Sequence, residues 1–440
     1  MGSLTPNYHS IADFRKLNPK ALKATFKLFV LFLKDADLIT GQVIAMDGTK
    51  IRASNSKKNN YNQKKIDRHL AYIEEKTNEY LAELDKNDAQ EQPERVTKIQ
   101  EKIERLKTNK IKYEELTKTL TESKEPQVST IDPDSRALLV QGQVVEVCYN
   151  MQAAVDQKHN LVVATHTINR NDRNAMSDIA LETKTNLSLD TFTAILDKGY
   201  HNGREIETCQ KANITTIVAT PTIVNSNEHS LSRAGFGSTT AEYMVSKFVY
   251  NTESDSYVCP AGSTLNTSGT WHKKSRERDS YQFKKYRTPD CKTCPVQLLC
   301  TAKADGRREI ERSQYAEAVA KNKDNYANNK ELYRKRQEMN SLSRIVAGSI
   351  YLVQSSDPDS YREGYNHTNL RGLPKVNGEM ALIMTVYNMK RAINIMGIEK
   401  LLDQLKTWKP DYKKATMSKQ KRAILRLLCQ PNKTYFAEAA

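Results

Sequence analysis

The sequence predicts a mixed α/β fold, and three observations predict it. Short apolar runs recur along the chain with turn residues at their ends, as buried strands do. Helix-like segments follow some of these runs, so strands first meander and later alternate with helices. A third stretch, 66–120, repeats apolar residues at heptad spacing amid many Glu and Lys.

Residues 1–40 read as helical, with Phe26, Leu28, Phe29, Leu31 and Phe32 as the apolar set. Val43 to Met46 reads as a buried strand that ends in Asp47-Gly48-Thr49. Within 66–120, Ile66, Leu70, Ile73, Thr77, Tyr80 and Leu84 step by fours and threes, and Val96, Ile99, Ile103 and Leu106 resume after a polar break. Two helices folded back as an antiparallel hairpin satisfy that pattern. Strands are expected at Val140 to Cys148, Met151 to Val155, Leu161 to Thr165, Phe192 to Leu196 and Ile214 to Ala219, with a helix at 174–185. Residues 222–312 are polar, Ser-rich and hold most of the cysteines. Helices return at Tyr315 to Arg336 and at Glu379 to Met396, while 341–363 is apolar with almost no Lys.

Composition bounds the function. The 440 residues hold 68 Lys and Arg against 52 Asp and Glu, a formal net charge of +16, and 38% are hydrophobic. About 150 residues per domain gives two or three domains. The hydrophobic content excludes general disorder, and no apolar window reaches the roughly 18 residues of a membrane span. With no signal-peptide pattern, a soluble intracellular protein is expected. Nucleic acid is the commonest intracellular polyanion for so basic a chain. Gln404 to Leu427 alone carries eight Lys or Arg against one Asp. No Gly-rich phosphate loop points to ATP.

Two constellations could carry chemistry. Cys259, Cys291, Cys294 and Cys300 are soft thiolate ligands that could close a structural zinc site from two loops; four reduced thiols, or a redox pair at Cys291 and Cys294, are the alternatives. Asp47 and Asp197 each follow an apolar strand, where open sheets place their sites. Carboxylates brought together call for a cation, and Mg2+ pairs activate and stabilise oxygens in phosphoryl transfer. Asp-Gly and Asp-Lys-Gly are also plain turn signals.

At these residues the chain resembles the DDE-type transposases of bacterial insertion sequences. The matching blocks are VIAMDGTKIRASNSK (43–57), STIDPDSRAL (129–138), VCYNMQAAVDQKHNLVV (147–163), AILDKGYHN (194–202), the cysteine block with GRREIERS (306–313), and LRGLPKVNGEMALIMTVYNMKRAINIMG (370–397). The resemblance implies a ribonuclease H-like mixed sheet with an inserted helical hairpin and an inserted cysteine-rich, zinc-ribbon-like segment. It divides the chain into a remnant N-terminal helical region (1–40), a core (41–65, 121–221 and 313–400), the hairpin arm (66–120), the cysteine-rich insertion (222–312) and a basic tail (401–440). It implies DNA cleavage and strand transfer with Mg2+ or Mn2+ held by Asp47 and Asp197. Lys50, Lys198, Tyr200, Arg371, Lys375 and Arg391 are expected to contact DNA. The implied partners are double-stranded DNA and a second copy of the chain, in the bacterial cytoplasm and without a membrane.

Two departures from the family pattern stand out. Relatives carry a further helical region before the segment matching PNYHSIADFRK, so the chain reads as N-terminally truncated. Ser341 stands where the third acid is expected, and 341–363 replaces the family's continuation. Glu338 is the nearest substitute, with Glu363, Asp357 and Asp359 behind it. A catalytically impaired remnant is therefore expected. A DNA-binding protein without catalysis and a nuclease of the same fold are the rivals, with a structural coiled-coil protein as the third.

Overall fold

The computed structural model describes residues 7–88, 93–123, 125–140, 144–220, 241–276, 279–301, 306–339 and 367–409. Its helices are α1 (Tyr8–Leu17), α2 (Pro19–Asp35), α3 (Gln63–Asp88), α4 (Pro93–Ser123), α5 (Met176–Leu187), α6 (Gly203–Lys211), α7 (Gln297–Cys300), α8 (Ala316–Asn328), α9 (Lys330–Met339), α10 (Leu373–Met396) and α11 (Ile398–Thr407). The strands are β1 (Val43–Arg52), β2 (Asn60–Tyr61), β3 (Val128–Ser129), β4 (Arg136–Val140), β5 (Val144–Asp156), β6 (Val162–Ile168), β7 (Phe192–Leu196), β8 (Ile214–Val218), β9 (Val249–Asn251), β10 (Ser256–Val258), β11 (Thr264–Thr267), β12 (His272–Arg276), β13 (Asp279–Arg287) and β14 (Ile310–Ser313). The chain divides into two units, one holding residues up to 192 and from 335 onward, the other 193–334. The mixed α/β expectation holds in both.

In the first unit β5 is the central strand. It pairs antiparallel with β1 from Ile44↔Asp156 to Arg52↔Cys148. On its other edge, β4 pairs through Arg136↔Cys148 and β6 through Asn150↔Ile168. Burial is almost continuous along β5 and β6 rather than alternating, so the sheet is covered on both faces. The covering helices are α2, α5 and α10. Phe26 and Val30 to Leu33 of α2 are buried, which explains that apolar run. Helix α10 approaches α2 closely because residue 378 is Gly: a Cβ there would stand 2.6 Å from the Cα of Pro19.

Two sequence boundaries move. The strand expected at Val43 to Met46 runs on to Arg52, so Asp47 is mid-strand and Asp47-Gly48 makes no turn. The strand expected from Val140 is two strands, β4 ending at Val140 and β5 opening at Val144. Part of the expected tail is helical, since α11 runs to Thr407, while 410–440 lies outside the described residues.

The arm is the predicted hairpin. Tyr61, Ile66, Leu116 and Leu120 cluster at its base. Glu83 and Arg95 pair at 3.2 Å near its tip, so α3 and α4 run antiparallel.

The second unit has two parts. In one, β7 and β8 flank α6, and α8 packs on β8. In the other, β9 to β14 form a separate antiparallel sheet around Phe248, Leu265, Tyr286 and Ile310.

Each unit seals strand backbone with a buried Asn. Asn388 of α10 accepts from Val162 N at 2.9 Å and donates to Val162 O at 2.7 Å. Asn322 of α8 does the same for Val218, at 2.9 and 3.0 Å. The amide side chain supplies the donor and acceptor that a further strand would provide. Replacing Asn388 with Ala leaves both groups of Val162 buried and unpaired. Urea unfolding should show a loss of about 2–6 kcal/mol, from roughly 1–3 kcal/mol for each group; a loss below about 0.5 kcal/mol would contradict this account.

Candidate active site

Asp47 stands opposite Ala153 in the β1–β5 register, and Gly48 opposite Gln152. Cross-strand partners share a face and successive residues alternate, so Asp47 and Gly48 serve opposite faces of the sheet. The Asp47 side chain is 29% exposed, and its Oδ2 lies 3.7 Å from Nη2 of Arg336. Arg336, in α9, is 3% exposed, and the same nitrogen donates to the Met46 carbonyl at 3.4 Å. A buried guanidinium here balances the carboxylate in a medium of low dielectric.

On the other face, Asn150 and Gln152 donate to Oδ1 of Asp172 at 2.8 and 2.9 Å. This group presses on Gly48, where a Cβ would come within 2.4 Å of both Asp172 Oδ1 and Gln152 Nε2. The glycine of DGT is thus required by close packing. None of Arg336, Asn150, Gln152 and Asp172 was expected from the sequence. The available signal was two amides, at i and i+2, on a strand otherwise almost entirely buried.

Asp197 follows β7 as expected. Its Oδ1 accepts from Gly199 N at 2.9 Å, capping the short turn Lys198–Tyr200. Asp47 belongs to the first unit and Asp197 to the second.

The expected DNA contacts separate. Lys198 is exposed, whereas Lys50 and Lys375 are half-buried. Tyr200 is fully buried, so its ring serves packing and is not presented to phosphate. Arg371 is exposed and donates from Nε to the Ser54 carbonyl at 3.2 Å. Arg391 donates to the His159 carbonyl, securing the β5–β6 turn. Sixteen residues of α10 separate it from Lys375, about 24 Å along the axis, so these cations form no single cluster.

Glu338 lies on α9, but its side chain is outside the described set. Ser341, Asp357, Asp359 and Glu363 also lie outside the described residues.

In the second unit, Cys259, Cys291, Cys294 and Cys300 all line one cavity of about 30 Å³. Burial pushes the Cys300 thiol above its ordinary value; Arg308 draws it down, and the other three cysteines push it up. Ser263 N donates to Cys259 Sγ at 3.3 Å. Thiolate donors of this kind suit zinc. Among the described residues, however, no group of three or more His, Cys, Asp or Glu is placed to hold a metal ion. The four cysteines stand on separate turns around this one cavity, and the closed shell expected from the sequence is not formed among the described residues.

Residues 258–350 match the family model described as transposase DDE domain. This match supports a DDE-type transposase. The transposase match spans about a fifth of the chain, takes in β11 to β14 of the cysteine sheet with α7, α8 and α9, and includes neither Asp47 nor Asp197. No curated protein and no solved structure matches the chain. Among the described residues no helix is long and apolar enough to cross a membrane.

Two outcomes follow from this geometry. Gly48→Ala should cost about 1–3 kcal/mol by forcing Asp172 and Gln152 aside, measured by urea unfolding, and wild-type stability would refute the packing account. In the cysteine sheet, Asp255 accepts from Tyr286 at 2.6 Å, Tyr250 at 2.8 Å and Lys284 at 2.6 Å. The bond from Lys284, then that from Tyr286, holds its carboxyl down at about 2. A lowered folded value stabilises above the ordinary carboxylate range and is lost as pH falls toward 2. Near-UV circular dichroism should show Asp255→Asn with a weaker acid-dependent loss of this sheet than the wild type.

Proposed function

We propose that the chain is a transposase that cuts duplex DNA and joins a 3′-hydroxyl end of an insertion sequence to a target. The observation that carries this reading is the match of residues 258–350 to the transposase DDE domain. The catalytic core is ribonuclease H-like in this reading, with the β9–β14 sheet as a zinc-ribbon-like insertion. A second copy of the chain shares the DNA, in the bacterial cytoplasm.

Asp47 and Asp197 would hold Mg2+ or Mn2+, with Glu338 as the third acid. Divalent ions, when bound, supply Lewis-acid activation of the attacking oxygen and stabilise the leaving one. Arg336 keeps Asp47 oriented and its charge balanced before DNA and metal arrive. Gly48 and Asp172 lock the strand under Asp47 so that the carboxylate does not wander. Lys198 is the exposed cation beside Asp197 and would meet phosphate. Cys259, Cys291, Cys294 and Cys300 would take a structural zinc ion, on the strength of their shared cavity and soft donors.

The test is Mn2+ calorimetry together with cleavage of a labelled duplex, on the intact chain, Asp47→Asn, Asp197→Asn and Glu338→Gln. Each aspartate variant should lose Mn2+ binding and at least about a hundredfold in cleavage. Unchanged Mn2+ binding in both would overturn the assignment. DNA binding with no cleavage by the intact chain would favour the non-catalytic reading, which the serine at 341 motivates. For zinc, elemental analysis should find about one ion per chain, absent from Cys291→Ser/Cys294→Ser; equal metal content in the two proteins would reject the site.

A further inference from the structure

Between Gly48 and Ile66 the chain carries six Lys or Arg, at 50, 52, 57, 58, 64 and 65, and no Asp or Glu. A run of like charge is ordinarily a solvated, mobile surface, but this one is built onto a fixed backbone. The ammonium of Lys65 donates to three carbonyls, those of Lys57 at 2.9 Å, Lys58 at 3.0 Å and Asn60 at 2.9 Å. Asn55 donates to Ser129 and Ser135 Oγ at 2.5 and 2.9 Å, and Thr130 N to Asn59 O at 3.0 Å. With its carbonyls drawn onto Lys65, the segment leaves Lys57 and Lys58 exposed.

Two more cations stand against the same segment. Arg52 closes β1, and its carbonyl accepts from Thr368 N at 2.7 Å. Arg371 reaches the Ser54 carbonyl. Arg52 and Lys57 are side by side, since both reach Oε1 of Glu146, at 3.4 and 3.5 Å. Their side chains stay 59% and 58% exposed, against 22% for Glu146. Four exposed cations therefore line this segment, two of them sharing the one carboxylate of Glu146.

We propose that Arg52, Lys57, Lys58 and Arg371 form a phosphate-binding ridge that grips the backbone of duplex DNA without regard to base sequence. The ridge rests on the DNA-acting reading above and adds where the duplex is held. Arg52 lies five residues beyond Asp47 on β1, about 17 Å along the strand. At 3.4 Å per step, that is roughly five base pairs from a bond cut at Asp47. Anchoring the loop beforehand removes part of the ordering entropy that binding would otherwise cost.

Full-length chain is titrated with salt against a fluorescent duplex, by anisotropy, for the wild type and three variants. Lys57→Gln/Lys58→Gln should weaken binding equally on unrelated sequences. It should also lower the slope of log affinity against log salt by about 1.8, two phosphate contacts at about 0.9 each. Lys107→Gln/Lys118→Gln removes the same charge from exposed positions on α4 and should leave the slope as in the wild type. Glu146→Gln frees Arg52 and Lys57 and should bind more tightly. Equal effects of the two lysine pairs, or an unchanged slope in Lys57→Gln/Lys58→Gln, would overturn the ridge while leaving the DNA reading in place. No salt-dependent duplex binding by the intact chain would instead overturn the DNA reading itself.

Discussion

Everything in the first unit depends on the antiparallel register between β1 and β5. It places Asp47 against Ala153 on one face and Gly48 against Gln152 on the other. A slip of β1 by one residue would turn the Asp47 carboxylate away from Arg336 and onto the face of the amides Asn150 and Gln152. The register is held at several points. Asp156 accepts from Thr40 and Gly41 N at one end, and Asn150 and Gln152 fasten Asp172 over Gly48 in the middle. A glycine at 48 is the condition for that second lock, because the amide and carboxylate occupy the space of a side chain.

A second constraint is how the fold treats buried carboxylates. Asp132 accepts from the Tyr149 hydroxyl and from Gly372 N, and Asp134 from Leu373 N, at the start of α10. Negative charge is favourable where a helix begins and its first N–H groups lack partners. Glu379, further along α10, accepts from Asn369 N and Leu370 N at 3.1 Å each, so it orders the loop before the helix and does not cap the helix itself. Burial and the bond to Asp132 raise the Tyr149 hydroxyl above its ordinary range, which keeps it a donor. These acids are structural, and Asp47 differs from them in having a guanidinium as its neighbour.

Much of the element order was legible because it rests on local pattern. The heptad steps of 66–120 gave a hairpin whose base and tip pair as antiparallel helices must, and Phe192 to Leu196 gave a strand ending at Asp197. The extension of β1 through Asp-Gly-Thr was not legible, since Asp-Gly usually breaks a strand and only the pairing to β5 carries it through. Tyr200 was likewise not legible: its place two residues after Lys198 suggests a surface, while the fold seals the ring inside. Arg391 looked like a DNA contact from its motif, yet its guanidinium is engaged by a hairpin carbonyl far along α10.

The sequence by itself determined the mixed α/β class, the arm, the cysteine-rich segment, the basic balance and the two aspartates worth testing. Those depend on spacing, charge and residue type, which are properties of the chain alone. Tertiary structure decided which face each aspartate serves, that Arg336 stands beside Asp47, that Asp172 fills the space above Gly48, and that Lys65 turns a charge run into an anchored ridge. Such relations join residues tens to hundreds of positions apart. They arise from strand register and packing contacts, to which no local pattern is sensitive.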